Sequence, residues 1–144
     1  MNAGSFCTRN VDTATRQETV LAAARRMNDR NVGSLVVVDD NKRPVGIVTD
    51  RDLTLRALAK LLDPATAKLS DVMTPAPKVA AQTASLTECV GMMRCGAFRR
   101  LPIVDDAGEL FGLLSLDDIL EYLAEGFSQA AGLIRREGPR TLSS

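Results

Sequence analysis

The chain has 144 residues, of which 45% are hydrophobic, and its 18 Lys and Arg side chains balance 18 Asp and Glu side chains. This composition excludes an intrinsically disordered chain and predicts one domain with a buried core. The zero net charge excludes a strong overall attraction to nucleic acid or to an anionic membrane.

The three cysteines, Cys7, Cys89 and Cys95, form no C-x-x-C pair, and the chain contains no histidine. A zinc site would therefore lack its usual ligands, and the commonest general base is absent. No Ser or Cys stands in a nucleophile motif. The composition predicts free buried thiols, no metal or cofactor, and no enzyme activity.

The N-terminus has no basic region followed by an apolar run, and no apolar stretch approaches the ~20 residues of a membrane-spanning helix. These features predict a cytoplasmic protein without a signal peptide or a membrane span.

Residues 8–62 predict a strand, a helix, two strands and a second helix, after a loose end over residues 1–8. The first segment opens at Val11, and Thr19 is a candidate cap of the first helix. That helix is predicted from apolar residues at helical spacing, namely Val20, Ala23, Ala24 and Met27.

A hairpin follows the first helix. The apolar runs 35–38 and 45–48 are typical of buried strands, and the polar residues 39–44 form the turn between them. The second helix stops before Pro64. It is predicted from an apolar stripe of Leu53, Ala57, Leu58 and Leu61.

Residues 63–77 are rich in Pro, Ala and Thr and predict a linker, after which residues 78–125 repeat the same order of elements. The closing helix is predicted over 116–125, and residues 126–144 form a C-terminal tail, of which 126–136 could continue as an irregular helix. Each unit would expose an apolar sheet face that its twin can cover. The predicted fold class is therefore α/β (α+β), with two related strand-helix-strand-strand-helix units.

The repeat is most evident where Gly46-Ile-Val-Thr-Asp-Arg-Asp52 returns as Gly112-Leu-Leu-Ser-Leu-Asp-Asp118, an offset of 66 residues. A fixed period of this kind indicates a duplicated structural unit. One indel is predicted, because Val11 and Val79 are 68 residues apart. The loop before the first helix would then be two residues longer in the first copy.

Two interpretations of this motif stay open. Thr49 and Ser115 are suited to cap the following helices, and the acidic residues after them match the positive end of the helix dipole. The free N–H groups of a helix start also suit a phosphate, and a nearby carboxylate such as Asp52 or Asp118 can take the hydroxyls of a ribose.

The two copies of h-h-V-D-D followed by G-h-h-[TS]-x-x-D, with Asp71-Val-Met-Thr-Pro75 between them, resemble a tandem pair of cystathionine-β-synthase (CBS) domains. The resemblance covers about residues 8–125. It implies a Bateman module, in which two repeats pack about a pseudo-twofold axis, similar to the stand-alone bacterial members of the family. Such a module binds adenine nucleotides such as AMP, ADP or ATP in two clefts between its repeats.

The resemblance also implies site residues. Ribose and phosphate would be held by Thr49 with Asp52 in one cleft and by Ser115 with Asp118 in the other. The family pattern adds residues of the opposite repeat, which are Lys78, Val79, Phe98 and Arg99 for the Asp52 cleft and Asn10, Val11, Val32 and Gly33 for the Asp118 cleft.

Basic residues would make the clefts unequal. By the resemblance, Arg100, together with Arg99, favours anions near Ser115, because arginine binds phosphate through paired hydrogen bonds. Arg51 is a candidate compensating cation in the first repeat. Ordinary solvated surface charge is the alternative for these arginines.

Two hypotheses follow for function. The chain is either a non-catalytic sensor of an adenine nucleotide or another adenosyl compound, such as S-adenosylmethionine, or a structural module that dimerises without functional nucleotide binding. Apolar helix residues would form a homodimer interface, and a protein partner would be regulated in trans. Nucleic acid is disfavoured, because the chain has few aromatic residues for base stacking.

Overall fold

The computed structural model describes residues 1–96 and 98–143, and the side chains of residues 1–96 and 98–135. The first half of the chain contains α1 (Ala3–Phe6), β1 (Thr13–Ala14), α2 (Val20–Arg30), β2 (Ser34–Val38), β3 (Pro44–Thr49) and α3 (Asp50–Asp52), which continues as a π-helical segment (Leu53–Leu58). The second half contains α4 (Leu69–Val72), β4 (Thr74–Pro75), β5 (Ala80–Ala81), α5 (Leu86–Gly96), β6 (Arg100–Val104), β7 (Leu110–Ser115) and α6 (Leu116–Ser143).

The strands form two sheets with the same pattern, β1-β2-β3-β4 and β5-β6-β7. The first strand of each repeat runs parallel to the second, and the second and third form an antiparallel hairpin. The predicted fold class and the two related repeats are therefore confirmed.

Each sheet carries its own hydrophobic core. In the first, Leu35, Val37 and Val48 pack with Ala23 and Met27 of α2. The second contains Leu101, Ile103 and Leu114 with Cys89 and Met93 of α5. The repeated apolar spacing in the sequence thus produces two equivalent clusters.

The central strands are covered on both faces. Side chains alternate between the faces of a strand, so Val36 points away from the core that contains Leu35 and Val37. Val36 is nevertheless fully buried, as is Pro102 at the corresponding position of β6. Burial on both faces explains why these strands are continuous apolar runs.

The segments that precede the repeats are exchanged between the cores. Residues 1–8, predicted as a loose end, contain α1, and Ala3 and Cys7 are buried in the second core. Within the predicted linker, Leu69 and Val72 of α4 are fully buried in the first core. The predicted boundaries of 8–62 and 78–125 thus leave out one buried helix for each core.

The strand register shows that the predicted indel is wrong. Ala14 pairs with Val37 and Ala80 pairs with Ile103, so the first strands of the two repeats are also 66 residues apart. The equivalent of Val79 is therefore Thr13. The two valines had suggested a false alignment because both are apolar residues near a strand start.

The second helix of the first repeat differs from its predicted form. The backbone N–H groups of Ala59 and Leu62 donate to the carbonyls of Thr54 and Ala57, five residues earlier, which is the π-helical pattern. Of the predicted apolar stripe, Ala57 is buried and Leu53 packs on the core. The other two members, Leu58 and Leu61, are 72% and 91% exposed.

The closing helix and the predicted tail form one helix. It begins at Leu116 as expected and, as the sequence allowed, continues beyond residue 125 as α6. Among its described side chains, Leu120, Leu123, Phe127 and Ile134 are exposed large apolar residues.

Candidate functional site

The repeated hydroxyl residue and aspartate both lie at a helix start. The Thr49 hydroxyl oxygen accepts a hydrogen bond from the Asp52 N–H at 3.2 Å, and the Asp52 carboxylate accepts one from the Thr49 N–H at 2.9 Å. In the second repeat the Ser115 hydroxyl oxygen accepts from the Asp118 N–H at 3.0 Å. The capping interpretation is confirmed in both copies, and in the first copy the reciprocal cap also holds the Asp52 carboxylate at the strand end.

Each helix start opens onto a cleft formed with the other repeat. The Asp52 cleft has a volume of about 420 Å³. It is lined by Ile47, Thr49, Asp52, Thr74, Ala76, Pro77, Lys78, Gly96, Phe98, Arg99 and Arg100.

The Asp118 cleft is smaller, with a volume of about 260 Å³. It is lined by Thr8, Asn10, Val11, Asp12, Val32, Ser34, Arg100, Leu113, Ser115, Asp117 and Asp118.

The offset of 66 residues relates one cleft to the other. Thr74 corresponds to Thr8, and Phe98 corresponds to Val32. In each cleft one wall is the strand end and helix start of one repeat, and the facing wall precedes the central strand of the other. The clefts are therefore two versions of one site.

The structure brings most of the predicted site residues together. The Asp52 cleft gathers Thr49, Asp52, Lys78, Phe98, Arg99 and Arg100, and the Asp118 cleft gathers Val11, Val32, Ser115, Asp118 and again Arg100. The prediction had placed Arg100 near Ser115 alone, whereas its side chain reaches both clefts.

Three predicted residues lie elsewhere. Arg51 lines a shallow depression with Asp50 and Thr54 on the outer surface of its helix. Val79 lines neither cleft, and Gly33 lies beneath the Asp50 carboxylate, where a Cβ would be 3.3 Å from Oδ2. The binding roles of these three residues stay predictions.

Other cleft residues were missed in the sequence. Thr8, Asp12, Thr74 and Pro77 all line a cleft. Asn10 had been predicted, and an offset of 66 from it gives Ala76. With the correct register, the sequence would therefore have predicted that residues 74–77 line the Asp52 cleft, but the false alignment of the valines prevented this.

Ion pairs surround the charged cleft residues. Arg99 Nη2 lies 2.9 Å from Asp117 Oδ1, and this pair joins the walls of the two clefts. Asp12 pairs with Arg30 at 2.9 Å, and the Asp52 carboxylate lies 3.7 Å from Arg56. Since both members of the Arg99–Asp117 pair are largely exposed, it contributes little stability.

Among the described residues, no three His, Cys, Asp or Glu side chains form a group that could hold a metal ion. In the same part of the chain, no helix combines the length and the apolar character of a membrane span.

Comparison with known proteins identifies the fold family. The CBS domain model matches residues 3–58 and 69–125. An uncharacterized protein of Methanopyrus kandleri is 32% identical over 121 residues, and the chain spans only 62% of its length. Hypoxic response protein 1 of Mycobacterium tuberculosis is 32% identical over 125 residues, which are 87% of this chain and 82% of that protein.

Two crystal structures are similar over nearly their whole length. Hypoxic response protein I with two coordinated zinc ions has a TM-score of 0.76 and 29% identity, over 84% of this chain and 98% of that chain. CBSX2 in complex with AMP has a TM-score of 0.71 and 31% identity, over 86% and 96% of the two chains. The chain therefore belongs to the CBS-domain family, and its two tandem repeats form one CBS pair.

Proposed function

We propose that this protein is a non-catalytic regulatory sensor that binds AMP, ADP, ATP or another adenosyl ligand in the clefts between its two repeats. The observation that carries this proposal is the pair of equivalent clefts, each lined by a hydroxyl residue and an aspartate at a helix start. The similarity to CBSX2, whose structure contains AMP, supports the same ligand class.

The chemistry of the cleft walls fits the parts of an adenine nucleotide. Phe98 and Ile47 offer apolar surface to a base in the Asp52 cleft, as Val32 and Leu113 do in the Asp118 cleft. Each aspartate can accept hydrogen bonds from ribose hydroxyls, in the way that acidic residues do at other nucleotide sites.

Signalling would arise because a bound ligand touches both repeats. A ligand that contacts Asp52 of the first repeat and Arg100 of the second stabilises the relative orientation in which those contacts are made. A partner with a different affinity for that orientation then responds to the ligand. The proposed readout is a conformational or oligomeric change in the cytoplasm.

A homodimer is the proposed context of this signal. The π-helical segment and the turn after it expose Leu58 and Leu61, and α6 exposes Leu120 and Leu123. Exposed apolar surfaces of this kind on monomers mark interaction sites. The same surfaces favour a second candidate function, a dimerising structural module without functional nucleotide binding.

Calorimetry with AMP, ADP, ATP and S-adenosylmethionine tests the proposal. We expect saturable heat and a raised melting temperature, because a ligand that binds only the native state stabilises it. Asp52→Asn and Asp118→Asn should each weaken binding in their own cleft. In Asp52→Asn the asparagine keeps an oxygen that can accept from the Thr49 N–H, and in Asp118→Asn the cap uses the backbone N–H of residue 118, so both variants should keep the fold.

Asp71→Asn provides the matched control. The Asp71 carboxylate caps α4 by accepting a hydrogen bond from the Lys68 N–H at 3.2 Å, and it lines neither cleft. This variant should bind ligand as the wild type does. An intact dimer without affinity for any of the four compounds would contradict the sensor and favour the structural module.

A further inference from the structure

The two clefts have opposite charge at one equivalent position. Lys78 lines the Asp52 cleft, and the residue 66 positions earlier is Asp12, which lines the Asp118 cleft. A cation in one site thus corresponds to an anion in its twin. The difference is a property of the sites themselves, since the net charge of the chain is zero.

The positions before the central strands add to this difference. Arg99 and Arg100 line the Asp52 cleft, whereas the equivalent residues of the first repeat are Gly33 and Ser34. The Asp118 cleft receives only Arg100, whose Nη2 lies 3.8 Å from the position of a Cβ on Gly33. Arg100 is therefore a cation shared by both sites.

The full sets of charges confirm the imbalance. Three cations and one acid line the Asp52 cleft: Lys78, Arg99, Arg100 and Asp52. One cation and three acids line the Asp118 cleft: Arg100, Asp12, Asp117 and Asp118.

The imbalance remains when the ion pairs are removed from both sets. Arg99 pairs with Asp117, Arg30 with Asp12 and Arg56 with Asp52. The charges that remain are Lys78 and Arg100 in the Asp52 cleft, and Asp118 and the shared Arg100 in the Asp118 cleft. A phosphate that binds between Lys78 and Arg100 would also withdraw Arg100 from the Asp118 cleft, where it is the one cation among the described lining residues.

From this we infer that the clefts select ligands by charge: the Asp52 cleft takes an adenosyl ligand that carries phosphate, and the Asp118 cleft takes one that carries none. Lys78 and Asp12 occupy the equivalent position that sets this specificity, because Lys78 offers a cation to a phosphate whereas Asp12, which pairs with Arg30, offers none. The inference rests on the proposed function, because it assigns different ligands to the same two sites.

AMP and adenosine are the probes, since they differ only by the phosphate. We expect one AMP to bind per chain, in the Asp52 cleft. Salt should weaken this binding, because it screens electrostatic contacts. Asp52→Asn should weaken the binding of AMP, and Asp118→Asn should leave it unchanged. Protein saturated with AMP should still bind adenosine, and Asp118→Asn should abolish that second event.

Charge exchange at the specificity positions is the decisive test. Lys78→Asp should weaken the affinity for AMP by roughly tenfold or more, because it replaces a charge-assisted contact with a negative charge that repels the phosphate. Lys60→Asp changes the net charge equally, lies at an exposed position outside both clefts, and should have no effect. Lys78→Gln gives the same direction of change with a smaller perturbation of the fold.

The reciprocal variant tests a gain of binding. Asp12→Lys should raise the stoichiometry from one AMP per chain to two, and Asp12→Asn gives a milder form if loss of the Arg30 pair disturbs folding. Unchanged AMP affinity in Lys78→Asp, or two AMP molecules per wild-type chain, would overturn selection by charge while the sensor function stands. A wild type that binds neither probe nor any other adenine nucleotide would overturn both.

Discussion

Gly46 in β3 lies directly against the side chain of Met73, and a Cβ added to Gly46 would be 2.4 Å from the methionine Sδ. The second repeat has the same relationship, since a Cβ on Gly112 would be 2.4 Å from Cys7 Sγ. Both pairs follow from the exchange of α1 and α4 between the cores. The repeated glycine is therefore explained by packing, because it gives space for the side chain that follows the exchanged helix.

Gly46→Ala should lower the free energy of unfolding by about 1–3 kcal/mol, the usual cost of overpacking a core. All three nearest atoms belong to Met73, so the alanine and the methionine should be strongly coupled. A double-mutant cycle with Met73→Ala, measured by urea denaturation, should give a coupling energy of roughly 0.5–3 kcal/mol. Additive effects would contradict this packing.

Gly91→Ala is the matched control. It lies within α5, and no heavy atom outside its own helix lies within 4 Å of the added Cβ. The substitution should raise the free energy of unfolding by roughly 0.5–1 kcal/mol, because alanine is the better helix former.

The thiols should differ in reactivity and in their effect on pH stability. Burial raises the pKa of Cys7 and of Cys89, whereas Cys95 is exposed, so the prediction of a buried thiol is wrong at this position. A thiol reagent should modify Cys95 first, and the other two only when the cores open. Because the folded-state pKa values are raised, their contribution to stability is complete below the usual thiol pKa and is lost as pH rises through the folded values.

Urea denaturation at neutral pH and at pH about 10 measures this loss. Cys89→Ala should reduce the difference in the free energy of unfolding between the two pH values, and Cys95→Ala should leave that difference unchanged. Equal rates of modification at all three cysteines would show that the cores do not protect their thiols.

Acid should weaken the contact between β1 and α2. The Arg26 guanidinium binds the Glu18 carboxylate and also donates to the Thr13 carbonyl at 2.8 Å. The hydrogen bond from Arg26 lowers the pKa of Glu18. This carboxylate therefore contributes stability above its usual pKa, and the contribution is lost as pH falls through the lowered folded value.

Thermal denaturation between neutral pH and pH about 3 checks the expectation, because that range extends below the usual Glu pKa. Glu18→Gln should have a lower melting temperature at neutral pH and a shallower acid dependence. Glu121→Gln is a control at an exposed position of α6 and should keep the wild-type slope. If the melting temperature of Glu18→Gln depended on pH as that of the wild type does, the role of this carboxylate would be contradicted.

The hairpin turns predict a stabilising substitution. Lys42 has a φ of 61°, and its counterpart Gly108 has a φ of 80°. Glycine adopts this left-handed conformation without the steric cost that a side chain adds. Lys42→Gly should raise the free energy of unfolding by up to about 1 kcal/mol in urea denaturation. Gly108→Lys should lower the free energy of unfolding. An increase in this variant would contradict the conclusion that the left-handed conformation favours glycine at these turns.

Local features of the sequence determined the elements and their repetition. Apolar runs and helical spacing located the two hairpins and both first helices, and Thr49 and Ser115 were recognised as caps because capping depends on neighbours three residues away. The motif spacing also identified the family, and with it the side of each cleft formed by the hydroxyl residue and the aspartate.

The tertiary structure decided what covers each sheet and what faces each aspartate. The burial of α1 in the second core and of α4 in the first depends on contacts between distant segments, which leave no local period in such short helices. Arg100 reaches both clefts for the same reason: its position in sequence fixes its strand, but only the packing of one repeat against the other places its guanidinium between the two sites.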